Sequence, residues 1–141
     1  MKKISLLILV CMLCSVVVVF AADEKELVVG LSWNEKRHVL IQAWEDYMKM
    51  YAEEYGKENG LKFTWIVNVA DGNPSHQASN IEDLLNQDVD VIVARPHDAA
   101  AIGASIRAAH EADVKFVTFD RASSGRKPDA HIGADSYTQA L

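Results

Sequence analysis

Cysteine is nearly absent from the 141-residue chain. Cys11 and Cys14 are the two it has, and both fall inside the apolar run Ile4 to Phe20. If that run is removed on export, the mature chain has no thiolate nucleophile, no cysteine-ligated metal and no disulfide. Paired metal-ligand spacing is missing too: His38, His76, His97, His110 and His131 form no zinc motif. No Gly-x-Gly-x-x-Gly follows the first apolar strand pattern, and there is no Gly-x-Ser-x-Gly elbow. These absences argue against an enzyme and against a bound cofactor. Basic residues are also in deficit, 14 Lys and Arg against 20 Asp and Glu. Without Lys2 and Lys3 the balance is 12 against 20, a net charge of −8. An acidic domain with no basic stripe is a poor partner for nucleic acid.

What is present begins with the N-terminus. Lys2 and Lys3 precede the apolar run, and the small residues Ala21 and Ala22 follow it, before Asp23-Glu24-Lys25-Glu26. This is the three-part pattern of a secretory signal peptide over residues 1–21, with cleavage expected after Ala21 and, as second choice, after Ala22. The competing reading is an uncleaved anchor, for which the run is near the lower length limit. Lipidation at Cys14 is disfavoured by the large Leu13 before it. The expected location is therefore the periplasm, with residues 22–141 as one domain. The last residues, Tyr137-Thr138-Gln139-Ala140-Leu141, read as the opening of a helix with no stop signal, so the chain is expected to be partial.

Between these ends, strand and helix patterns alternate at short spacing, the signature of βαβ units on a parallel sheet. Leu27–Leu31, Phe63–Val67, Val89–Ala94, Phe116–Phe119 and Ala130–Ala134 read as strands. From Arg37 to Tyr55, Leu40, Trp44, Tyr47, Met48, Tyr51 and Tyr55 recur at three- and four-residue steps, a helical stripe ended by Gly56 or Gly60. Asn73-Pro74 starts a second helix carrying Ala78, Ile81, Leu84 and Leu85. Asp98 can cap a third, carrying Ile102, Ile106 and Ala109. There is no internal repeat and no low-complexity stretch. The right-handed crossover rule makes this a doubly wound α/β sheet of expected order 2-1-3-4-5, with its switch point between the first and third strands.

That topology gathers polar residues at one edge: Trp33 and Asn34, Asp71, Arg95 and His97, then Asp120 and Arg121, each just past a strand end. Asp120 only accepts hydrogen bonds and Arg121 only donates, so together they suit a polyhydroxylated ligand, whose hydroxyls do both. The plain alternative is an Asp-Arg turn that solvates a strand end. Trp33 can stack on a sugar ring or belong to the core. Asn34 can bind ligand or cap the next helix, and Arg37 can bind ligand or stand in solvent. Asp71 sits in an Asp-Gly pair that a turn would want in any case.

Five segments in order, Val28-Val29-Gly30-Leu31-Ser32, Asp71-Gly72-Asn73-Pro74, Ile81-Glu82-Asp83-Leu84-Leu85, Val89 to Pro96 and Val117-Thr118-Phe119-Asp120-Arg121, resemble the periplasmic sugar-binding proteins of ABC importers. The ribose and xylose branch is the most similar, and the likeness runs from about Leu27 to the last residue. Ile132-Gly133-Ala134-Asp135-Ser136 is similar to the family's approach to its first interdomain crossing. The resemblance implies the N-terminal lobe of a two-lobe protein that closes on a sugar, with the second lobe absent from this sequence. It implies ligand contacts at Asp120 and Arg121, and at Trp33, Asn34 and Arg37 in the first loop. The Asn-Pro-Phe-Phe pattern of ribose binders is missing there, which argues against ribose itself.

The resulting expectation is a monomeric, non-enzymatic receptor that binds a monosaccharide and delivers it to a membrane permease. The alternative is the same fold feeding a chemoreceptor or sensor kinase. A transcriptional repressor of this fold would need a helix-turn-helix, which is absent, and would not need an export signal.

Overall fold

A computed structural model of the chain describes residues 24–134. The stretch read as a signal peptide, residues 1–21, and the residues from Asp135 onward lie outside the described residues.

Five parallel strands form one sheet: β1 (Lys25–Trp33), β2 (Leu61–Val69), β3 (Val91–Arg95), β4 (Lys115–Phe119) and β5 (Ala130–Ile132). Their spatial order is β2-β1-β3-β4-β5, as the crossover rule requires. Register places Trp33 opposite both Val69 and Arg95, so the first three strands finish level. Three helices cross between them: α1 (Val39–Asn59), α2 (Pro74–Leu85) and α3 (Ile102–Glu111).

Local sequence explains the helix ends. His38 caps α1 by accepting from the Leu40 N–H at 3.3 Å, and Gly60 ends it in the left-handed conformation, φ 66°. Asn73 caps α2, accepting from Ser75 and His76, with Pro74 at the first position. The Asp98 carboxylate binds the N–H groups of Ala100 and Ala101, a turn ahead of α3. Those two bonds hold its carboxyl below the usual range.

The strands alternate sides with period two. Ile92, Ala94 and Phe116 pack with Ile81 and Leu84 of α2 and Ile102, Ile106 and Ala109 of α3. Each fully buried Ile, Leu or Phe here contributes about 1.5–3 kcal/mol and each alanine methyl about 0.8 kcal/mol. Leu31 and Trp33 face the other way, against Ile41 of α1, with Trp44, Met48, Trp65, Val93 and Phe119 around them. Among the described residues α1 is the one helix on this second face.

Only part of the stripe read on α1 points inward: Trp44 and Met48 pack on the second core. Leu40, Tyr47, Tyr51 and Tyr55 are exposed, as are Val39 and Met50. The residues α1 buries are Ile41, Glu45 and Gly56. Periodicity finds a stripe but does not say which way it faces.

Candidate functional site

All four parallel strands β1 to β4 end at the same edge, and the loops leaving them carry the polar residues. Their geometry differs from the adjacent Asp120–Arg121 unit that the sequence picks out. The Asp120 carboxylate is bound by Arg95, Nε to Oδ2 at 2.7 Å, from the end of the neighbouring strand β3. The same guanidinium donates through Nη1 to the Asn34 side-chain oxygen at 2.6 Å, and lies 5.8 Å from the centre of the Trp44 ring. Asn34, Arg95 and Asp120 thus form one chain of charge-assisted bonds across the ends of β1, β3 and β4. The Arg95 side chain is 11% exposed and that of Asp120 33%, so the pair sits in a half-dry corner with the carboxylate reaching solvent.

Asp120 holds a left-handed backbone, φ 61°, which Asp tolerates better than most residues. Its N–H donates to the Ile132 carbonyl at 2.7 Å, hanging β5 from the site loop. Arg121 is exposed and donates to the His97 carbonyl at 3.5 Å. It borders the corner without touching Asp120's carboxylate partner.

Beneath the corner is Gln77, a buried α2 residue that sequence reasoning did not single out. Its amide donates to the Arg95 carbonyl at 2.9 Å and lies 3.4 Å from Ser32 Oγ. Its side-chain oxygen accepts from the His97 N–H at 2.8 Å. Gln77 therefore fastens α2 to β1 and β3 at the topological switch point. A glutamine on an otherwise apolar helix face, one turn after Asn73-Pro74, was the available signal. Thr118, fully buried on β4, meets His131 Nδ1 at 2.9 Å. His97 keeps its own Nδ1 buried without a partner among the described residues.

Two expectations need correcting. Trp33 is not available to stack on a ligand: it has no exposed surface, packs edge-on to Phe119, and donates from Nε1 to Glu45 at 2.8 Å. Strand alternation sends it to the α1 core, like Leu31 two residues before. Asn34 does not cap α1, because His38 does; Asn34 is buried and serves Arg95. Arg37 stands exposed in the loop between β1 and α1, and Asp71 is exposed at a left-handed turn, φ 51°. The structure brings Asn34, Arg95, Asp120, His97 and Arg121 together, while Arg37 and Asp71 stand exposed and bond to none of them among the described residues.

Glu45 anchors the first loop from below. It is 5% exposed and accepts from Lys36 at 2.7 Å, Lys49 at 2.6 Å and Trp33. Burial pushes its carboxyl up, but the bonds from Lys36, Lys49 and Trp33 prevail and hold it below its ordinary value. Among the described residues no cluster of His, Cys, Asp and Glu suits a metal ion, and no helix is long and apolar enough to cross a membrane.

An open α/β sheet with donors and acceptors set around its switch point is the architecture of a ligand-binding lobe. Residues 38–141 match the family described as the periplasmic binding protein domain, and the chain belongs to that family. It is 28% identical over 116 residues to the ribose import binding protein of Bacillus subtilis, covering 82% of this chain and 36% of that protein. The D-xylose-binding periplasmic protein of Haemophilus influenzae matches at 28% over 116 residues, covering 33% of its length. A solved Caulobacter myo-inositol binding protein, bound to myo-inositol, superposes with a TM-score of 0.60 at 26% identity, over 80% of this chain and 36% of that one. The chain spans about a third of the length of the relatives it matches.

Proposed function

We propose that this chain supplies the first sugar-binding lobe of an exported, non-catalytic receptor that passes a monosaccharide to the permease of an ABC importer. The observation that carries the reading is the Asn34–Arg95–Asp120 corner at the switch point of a family member. The corner offers a carboxylate acceptor beside guanidinium donors, the complement of a hydroxyl pair. Arg121 borders it through its bond to the His97 carbonyl. The relatives reported above are named as binding proteins for ribose and xylose, which supports a sugar as ligand and binding without chemistry. The signal pattern at residues 1–21 supports export, and family membership supports delivery to a permease. On this reading the second face of the ligand is covered by a second lobe, and hinge closure around the sugar forms the complex that the permease meets.

The test is calorimetric titration of the protein as its gene encodes it against a panel of monosaccharides. Asp120→Ala and Arg121→Ala each remove a charge-assisted bond worth roughly 1.5–3 kcal/mol, about ten- to a hundredfold in affinity. Arg121→Ala should move the melting temperature little, because Arg121 is exposed on its loop, whereas Asp120→Ala should lower it, because it unpairs Arg95 and puts alanine at φ 61°. Near wild-type affinity in both variants would overturn the assignment of this edge as the sugar site.

A further inference from the structure

The sequence places Asp120 with its neighbour Arg121, and the family resemblance assigns ligand contact to that pair. Neither gives Arg95 a separate task. We propose that Arg95 is a positioning residue: it holds the Asp120 carboxylate in one pose through Oδ2, leaving Oδ1 to accept from the ligand, and in this way sets which hydroxyl arrangement the site prefers. The inference rests on Asp120 being a sugar contact, as proposed above.

Arg95 is itself held at every point where it could move. Its backbone carbonyl accepts from Gln77, a residue 2% exposed. Its Nη1 donates to the buried Asn34 at 2.6 Å. The guanidinium lies near the Trp44 ring, which in turn stands edge-on to Phe119 at 5.2 Å, the residue just before Asp120. An arginine fixed by its backbone, its fork and a ring beneath it is a rigid template. Asp120, by contrast, lies on an exposed loop at a strand end and would otherwise sample rotamers.

Chemistry then gives a consequence for selectivity. A free carboxylate can accept from two adjacent hydroxyls, one to each oxygen. Arg95 engages one lone pair of Oδ2 and fixes the carboxylate plane, so Oδ1 is the oxygen left without a protein partner among the described residues, and the direction in which it accepts is set through the Asn34–Arg95 bond. The site therefore discriminates epimers at the carbon whose hydroxyl meets Oδ1. A pre-organised acceptor also avoids the ordering cost that a mobile one would meet on binding.

The experiment is a double-mutant cycle on the sugar affinity of the protein as its gene encodes it, with Arg95→Met, Asp120→Ala and the double variant. The panel is ribose, xylose, arabinose, glucose, galactose and allose, read by calorimetry with ligand-observed NMR extending to millimolar affinity. Methionine keeps the stem against Trp44 and removes every donor. Arg95→Met should weaken the best sugar about tenfold and compress the affinity ratios between epimers. In the Asp120→Ala background the same change should have an effect smaller than twofold, because Arg95 works through the carboxylate. Arg95→Lys, which can reach Asp120 or Asn34 but not both, should restore part of the affinity and less of the selectivity; it is the measurement of record if Arg95→Met does not fold. An Arg95→Met effect that persists undiminished in the Asp120→Ala background would overturn the proposal, as would unchanged epimer ratios in Arg95→Met or, failing that variant, in Arg95→Lys. If Asp120→Ala leaves every affinity intact, Asp120 is no sugar contact and the proposal is overturned; if Arg121→Ala does so as well, the sugar-site reading itself has failed, a result distinct from these.

Discussion

Asp129, just before β5, shows how a single side chain fastens an edge strand. Its carboxylate accepts from the Phe116 N–H at 2.9 Å, from His110 at 2.9 Å and from Lys115 at 3.2 Å. The Phe116 bond is the largest influence; burial opposes it, His110 and Lys115 add to it, and the carboxyl is lowered to about 2. A depressed carboxylate stabilises the fold above its unfolded value of 3.8, and the contribution is lost as pH falls from about 4 to about 2. Because the group is largely solvated, the contribution is on the order of 1 kcal/mol. Asp129→Asn keeps an acceptor for Phe116 but does not titrate. Thermal melts should show wild type above the variant at pH 7 and the gap narrowing from about pH 4 toward about pH 2; a gap that stays constant with pH removes the linkage. At this same scale the sequence was readable where chemistry is local. Asp120 and Arg95 stand out as charged residues after apolar strands. Their bond to each other does not, since it joins positions 25 apart through the sheet order. Trp33 and Trp44 are indistinguishable in a string of letters, yet alternation buries one and a helix edge half-exposes the other.

Helix α1 is the element that departs furthest from its pattern. Its tyrosines and Met50 face out, while its inner face carries a carboxylate and a glycine. Glycine is required at position 56 by contact: a Cβ there would collide with the Leu61 carbonyl, the first residue of the strand that α1 leads into. Gly56→Ala gains about 1 kcal/mol of helix propensity, but overpacking against a backbone atom costs about 1–3 kcal/mol. The net expectation is a destabilised protein with a midpoint shifted down in urea and an unchanged slope. A variant as stable as wild type would mean that α1 and β2 can separate at no cost. The strands were more legible than this helix. Their apolar runs, their order and the turn residues between them followed from pattern and handedness alone, with no boundary off by more than two residues. For β3 the start moved from Val89 to Val91, with Asp90 instead turning its carboxylate onto the Val28 N–H at 2.7 Å.

For the molecule as a whole, the polar corner lies on an open edge. Arg37, Asp120 and Arg121 are exposed, and tight small-molecule sites cover 70% or more of their ligand, roughly. The 141-residue chain by itself should accordingly bind monosaccharides with millimolar affinity or not at all. Titration of this chain with the same sugar panel checks it, and a dissociation constant near or below about 1 μM, roughly −8 kcal/mol, would show that one edge suffices. The sheet order has a further consequence for assembly in time. Asn34 finds its partner Arg95 only 61 residues later, and Arg95 waits another 25 for Asp120. At a synthesis rate of roughly 5–20 residues per second, the first of these intervals lasts about 3–12 s. Until β3 and then β4 arrive, the corner has no template, so it takes its shape only after β1 and β2 have long been made.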